Sequence, residues 1–274
     1  FHDIIKLEKF MKDKPVSENI VAEVSEIVES GSNKAVLTLG DGKQISLEDG
    51  KSFKNEKLSS NGEELVYNAR ETIASEAEQK LNYLTVPRGG QVVLELSDGT
   101  KVWINSESKI KYPTSFTAGK TREVELLYGE AYFEVSPSEQ HRGAAFNVRT
   151  KGQNVIVLGT KFNIQAYKDA AEVITTLTEG RVAIEKGENK KFLEPNQQAI
   201  ITDDLGEITI AAIDAETTMS WSKGLFIFEN ESLYQMTEDL SRWYDVEVFF
   251  ESKEITEIHF TGVLERTKTL NELL

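Results

Sequence analysis

Ala35–Leu47 reads AVLTLGDGKQISL, and fifty-seven positions later Val92–Ile104 reads VVLELSDGTKVWI. Each stretch alternates apolar and polar residues, breaks at Asp-Gly, and alternates again. The two share Val36/Val93, Leu37/Leu94, Leu39/Leu96, Asp41/Asp98 and Gly42/Gly99. Period-two alternation is the mark of a strand with one buried face, and Asp-Gly between two such runs marks a hairpin. A type I′ turn needs positive φ at both central residues, which Asp tolerates and Gly accepts freely, so the spacing predicts two such turns. The shared residues are those that scaffold requires. Ser46 and Trp103, on the opposite face, have diverged.

Working outward, almost every segment from Gly89 to about Ile213 repeats the alternation. Examples are REVELLYGEAYFEVS (Arg122–Ser136), QNVIVLGTKFNIQAY (Gln153–Tyr167) and EVITTLTEGRVAIEKG (Glu172–Gly187), punctuated by Tyr128-Gly129, Leu158-Gly159, Glu179-Gly180 and Leu205-Gly206. Many short strands at such spacing predict a sandwich, a barrel or a solenoid-like stack, among which periodicity does not choose. Upstream, Asn19–Ser30 alternates enough for a short strand, and Arg70–Leu84 places Ile73, Ala77, Leu81 and Leu84 at helical spacing. The latter is read as a helical connector ending before Pro87.

The pattern changes near Ala215. Leu225–Phe228 reads as a strand, Asn230, Glu231 and Ser232 offer helix-capping chemistry, and Leu233, Met236, Leu240, Trp243 and Tyr244 fall on one helical face. Val246, Val248 and Phe250 alternate as a second strand, Ile258–Leu264 as another, and Thr269–Leu274 starts a second helix. The fold class is therefore mainly β, with a small strand-helix-strand α/β module at the C-terminal end. The expected divisions are 1–83, 84–215 and 216–274. A small sheet leaves an edge open to a partner strand. On the strand expected over Val246–Phe250 the outward set is Glu247, Phe249 and Glu251, the candidate partner-binding residues.

The chain carries a formal net charge of −15, from 46 acidic and 31 basic residues. Such a field repels a phosphate backbone, and the richest basic stretch, KGENKK (Lys186–Lys191), reads as a solvated hairpin tip, so direct nucleic-acid binding is not expected. There are no cysteines, which removes disulfides and thiolate chemistry. His2, His141 and His259 lie far apart without metal-ligand spacing, and no P-loop, G-x-G-x-x-G or G-x-S-x-G is present. Asp203-Asp204, before Leu205-Gly206, reads as a turn rather than a calcium site. No catalytic residue, cofactor or metal is expected. Trp103, Tyr112 and Tyr132 leave open a carbohydrate-binding or carbohydrate-cleaving alternative, because aromatic faces can stack on sugars. No run reaches the ~18 to 20 apolar residues of a membrane helix. The start at Phe1, without Met or an apolar leader, reads as a fragment or a mature product.

TVPRGGQVVLELSDGTKVWINSESKIKYPTSF, REVELLYGEAYFEVS, FNVRT, VLGTKFNIQAY, TTLTEGRVAI and LEPNQQA, in that order, resemble the periplasmic domain of FecR-type anti-sigma factors over about Leu84–Thr202. WSKGLFIFENESLYQMTEDLSRWYDVEVFF with FTGVL resembles the C-terminal domain paired with it in Bacteroidetes members, a module similar to the signalling domain of secretins and TonB-dependent receptors. The resemblance implies the periplasmic region of a single-pass inner-membrane regulator. Its partners would be the signalling domain of a TonB-dependent outer-membrane receptor and, through a cytoplasmic region, an extracytoplasmic-function sigma factor. Membrane contact would be made only through a transmembrane segment outside this sequence.

Overall fold

The structure, a computed structural model, describes residues 27–55, 58–67, 80–202, 207–215, 217–250 and 252–273. The chain divides into two compact units, Ser32–Met219 and a smaller one formed by Phe1–Gly31 with Ser220–Leu274.

The larger unit consists of β1–β18, numbered in chain order, arranged as two sheets that share one strand and are also joined where Ser32 and Asn33 run parallel to Gly90 and Gln91. The first runs in space as β2 (Gln44–Glu48), β1 (Ser32–Thr38), β6 (Leu81–Val86), β9 (Ser108–Pro113), the first half of β10 (Arg122–Glu134), β11 (Phe146–Thr150), β12 (Gln153–Val157), β15 (Val182–Lys186) and β16 (Asn189–Leu193). The second runs β3 (Phe53–Lys54), β4 (Leu58–Ser60), β5 (Glu64–Tyr67), β7 (Gly90–Glu95), β8 (Lys101–Ile104), the second half of β10, β13 (Lys161–Ala166), β14 (Glu172–Glu179), β17 (Gln197–Thr202) and β18 (Ile208–Ala212). Alternate residues of both sheets, such as Leu37, Leu84, Ile110 and Phe146 from one and Leu94, Ile104, Phe133 and Ile164 from the other, form a single core. That apolar burial is the main stabilising term of the unit.

The hinge between the sheets is Gly129. It was expected at a turn; instead it sits inside β10, where the pairing changes from β9 to β8 and the register slips between Leu126 and Tyr128. The reason is steric: its φ is 95°, and a Cβ there would collide with the Ser108 side chain. Only glycine holds that conformation and that approach together.

The Asp-Gly repeat is real in three dimensions. Leu37 faces Ile45 in one hairpin as Leu94 faces Val102 in the other. Leu39 N donates to Lys43 O and Gly42 N to Leu39 O; Leu96 N donates to Thr100 O and Gly99 N to Leu96 O. The expected type I′ geometry is corrected. The hydrogen bonds close a turn whose central residues are Gly40-Asp41 and Ser97-Asp98, and positive φ occurs at Gly42 and Gly99 but at neither Asp. This is the three-residue loop, a type I turn followed by a glycine bulge. The two hairpins lie in different sheets of one unit.

The helix expected over Arg70–Leu84 is also corrected where the structure describes it. Leu81–Leu84 begin β6 and pair with β9, because Asn82, Leu84 and Val86 alternate into the interior and the ladder outweighs helix propensity. Residues 70–79 lie outside the described residues. So do residues 19–26 of the strand expected over Asn19–Ser30, while 27–30 carry no ladder. Asp203-Asp204 and His2 are likewise outside the described residues.

The smaller unit contains β19 (Leu225–Ser232), α1 (Leu233–Tyr244), α2 (Lys253–Thr256), β20 (His259–Glu265) and α3 (Leu270–Leu273). β19 and β20 form a two-stranded antiparallel sheet. Together the two units give the mainly-β chain with a small strand-helix-strand module that the alternation and helical spacing pointed to. No helix among the described residues is long and apolar enough to cross a membrane.

Candidate interaction surface

The small unit is built on one amphipathic helix. Ser232 caps α1, its Oγ accepting from Gln235 N at 3.3 Å while Gln235 Oε1 accepts from Ser232 N at 3.2 Å. This reciprocal box satisfies two N–H groups that the first turn would leave orphaned. Leu240, Trp243 and Tyr244 then bury against Phe226 and Phe228 of β19 and against Leu270 and Leu273, with Val28, Met236, Val246 and Leu264 packed around them.

Two features of this core could not be read from periodicity. Val28 O accepts from Leu270 N and Val28 N donates to Asn271 Oδ1, both at 2.9 Å, so the described residues before β1 belong to this unit. Arg266, 2% exposed, lies with its guanidinium 3.7 Å from the Trp243 ring centre and 5.1 Å from that of Phe226. Its Nη1 donates to Trp221 O, and its own carbonyl accepts from Trp243 Nε1 at 2.9 Å. A cation on desolvated aromatic faces gains about 2 kcal/mol or more. A basic residue after an alternating strand gives no warning of such burial; only the richness in aromatic residues hints at it.

The predicted partner-binding residues are placed as follows. Val246–Phe250 forms no strand in the structure, which corrects that expectation: β19 takes β20 as its partner, and alternation fixes which side chains turn inward without supplying a strand to pair with. Val246 still packs inward, and Phe250 lies 6.3 Å from the Tyr234 ring. Glu247 is exposed, and Phe249 is 85% exposed. Glu251 lies outside the described residues. Nine large apolar side chains are exposed among the described residues, and five of them, Ile27, Tyr234, Val248, Phe249 and Val263, belong to this small unit.

The larger unit offers less to a ligand. Tyr112 is buried with its hydroxyl 3.2 Å from that of Tyr67, and burial pushes its ionisation well above the ordinary range. Tyr132 is sealed as well, its ring 5.7 Å from that of half-buried Trp103, so neither tyrosine presents a face for sugar stacking. His141 Nε2 lies 2.8 Å from Ser136 Oγ in a short 3-10 turn, and His259 is in the other unit. Among the described residues no group of three or more His, Asp or Glu side chains is arranged to hold a metal. One buried acid went unnoticed in the sequence. Glu130, 3% exposed, receives Asn105 Nδ2 at 2.7 Å, Asn163 Nδ2 at 2.8 Å, Gln165 Nε2 at 2.9 Å and Tyr167 Oη at 3.3 Å. It follows Gly129 directly, so this cage anchors the hinge; its donors come from β13 and from the residues just past β8 and β13.

Comparison with known proteins agrees with this architecture. The family profile described as FecR protein matches residues 82–183, and the profile described as FecR, C-terminal matches residues 225–274. Two crystal structures of a Parabacteroides distasonis protein assigned as an anti-sigma factor superpose with a TM-score of 0.62 at 31% identity. They cover 70% and 71% of this chain and 88% of their own. No curated protein matches. With the first profile matched within the β unit, the second matched on the capped strand-helix-strand unit, and a solved relative 31% identical over 88% of its own length, the chain belongs to the FecR family of anti-sigma factors.

Proposed function

We propose that this chain is the periplasmic sensing region of an inner-membrane anti-sigma factor. Its small unit receives the signalling domain of a TonB-dependent outer-membrane receptor. The signal controls an extracytoplasmic-function sigma factor through a cytoplasmic region carried outside residues 1–274. The observation that supports this reading most directly is the outward apolar side chain of Phe249, 85% exposed, on the unit matched by the C-terminal profile. The −15 charge fits a protein that contacts proteins rather than nucleic acid. No catalytic step is assigned to it: the protein transmits contact.

The test is titration of an isolated receptor signalling domain into the chain, followed by calorimetry and amide NMR. Binding should perturb residues of the small unit. Phe249→Asp should weaken it roughly tenfold or more, as expected for the loss of a buried aromatic anchor, with the far-UV spectrum unchanged. Unperturbed spectra, or perturbation confined to β1–β18, would overturn the assignment.

A further inference from the structure

Among the described residues no strand takes the outer edge of β20, where Glu265 O alone accepts a backbone bond, from Lys268 N at 3.3 Å, and the sequence along that edge is complementary to itself. Arg266 N donates to Gly224 O and Ile258 O accepts from Leu233 N, so the even-numbered positions turn their backbone groups toward β19 and its flanks. In an antiparallel ladder these directions alternate. His259, Thr261, Val263 and Glu265 therefore turn their N–H and C=O groups away from β19. Among the described residues β20 pairs with β19 alone.

Natural sheets guard such edges with lysine, proline or a bulge. In the larger unit, edge strand β16 carries exposed Lys190 and Lys191. In the small unit, β19 carries the guard itself: three steps from Phe228 to Glu231 span two from Gly262 to Phe260, with Asn230 at φ 54°. β20, HFTGVLE, has neither proline, lysine nor bulge.

We infer that β20 is the seam of a homodimer in which two copies pair antiparallel about a twofold axis at Gly262. That register sets Thr261 opposite Val263 of the partner subunit, the hydrogen-bonded pair, and Phe260 opposite Leu264 of the partner subunit. It also places His259 opposite Glu265 of the partner subunit, an imidazole against a carboxylate at each end. The centre is open, since a Cβ at Gly262 would meet nothing within 4 Å. Slipping the register by one residue in either direction loses the His259–Glu265 match. The product is a continuous four-stranded sheet across two small units. Because each copy brings a net charge of −15, the dimer strengthens as salt screens the repulsion, opposite to a contact driven by net charge.

Sedimentation equilibrium of the whole chain across a concentration series tests this directly. The expected result is a shift toward twice the monomer mass that grows with ionic strength and is lost in Val263→Lys. A chain that stays monomeric at every concentration and salt, or a Val263→Lys variant that still dimerises, overturns the inference. Cross-linking is independent of that variant. The chain has no cysteine, and opposed residues of a non-hydrogen-bonded pair lie about 4.5 Å apart, within disulfide reach. Gly262→Cys should therefore form a covalent dimer roughly tenfold or more faster than a Lys191→Cys control. Equal rates overturn the twofold at Gly262. Phe249→Asp leaves both readouts unchanged, which separates this seam from the receptor contact.

Discussion

Arg122 and Asp98 form an ion pair of 2.8 Å in which the side chains are only 2% and 3% exposed. Asp98 is the aspartate of the second Asp-Gly turn, and its Oδ1 accepts from Thr100 N at 3.0 Å as Asp41 Oδ1 accepts from Lys43 N. The local turn chemistry is therefore identical in the two copies. What differs is tertiary. Asp98 Oδ2 also takes Thr100 Oγ1, while Arg122 reaches Ser136 O and Ala144 O and lies over the Phe146 ring. In the first copy Asp41 remains exposed.

Asp98→Ala and Asp41→Ala should consequently part company. Removing one partner of a buried, hydrogen-bonded pair leaves the other charge uncompensated and costs about 3–5 kcal/mol. Losing a solvent-exposed turn bond costs about 0.5–1.5 kcal/mol. Urea midpoints of the two variants measure the contrast. Equal losses would mean that Asp98 acts only through its turn.

Glu130→Gln is expected to destabilise despite its near-identical shape. Four donors converge on the carboxylate, and an amide would turn one acceptor oxygen into an NH2 facing donors. Leaving a buried donor unsatisfied costs about 1–3 kcal/mol. Equilibrium denaturation gives the value, and a neutral substitution would remove Glu130 as the anchor of the β10 hinge.

Local patterns in the sequence carry much of this architecture, and the failures share one cause. The hairpins, the capped helix α1 and the strand β20 are written in periods of two and 3.6 and in the Ser232 cap, all decided within a few residues. Arg122–Asp98, the Glu130 cage, the stacked Arg266 and the Gly129 hinge depend on residues brought together from distant strands, and no local period encodes them. Val246–Phe250 failed for the same reason: its alternation specifies a face, whereas a strand also needs a neighbour. Phe249, chosen as an outward residue, is indeed outward, on a segment that is not a strand.

Alkaline pH should loosen both units. Burial pushes Tyr132 and Tyr244 from 10.0 up to about 12. Below the unfolded value both states keep the proton and the stabilisation is complete. Between the unfolded and folded values only the unfolded chain releases it, so stability falls by roughly 1.4 kcal/mol per pH unit for each tyrosine. Urea unfolding across this window should show the decline, and Tyr132→Phe with Tyr244→Phe should make it shallower, the buried Tyr112 hydroxyl accounting for part of what remains. An unchanged slope in the double variant would place the alkaline sensitivity elsewhere.

Glu231 is the acidic counterpart in the small unit. Burial, reinforced by the neighbouring Glu229 charge, raises its carboxyl above 4.5. A raised acid favours the folded state fully below the unfolded value, and that contribution is lost as pH climbs through the folded value. At neutral pH the fold therefore carries a carboxylate it would rather protonate. Glu231→Gln should raise the melting temperature of the small unit at neutral pH. The gain should disappear on acidification, once the native carboxyl is protonated in both states. A gain that persists at low pH would instead reflect the packing of the amide, and a loss at neutral pH would show that the carboxylate is stabilised by contacts with its surroundings.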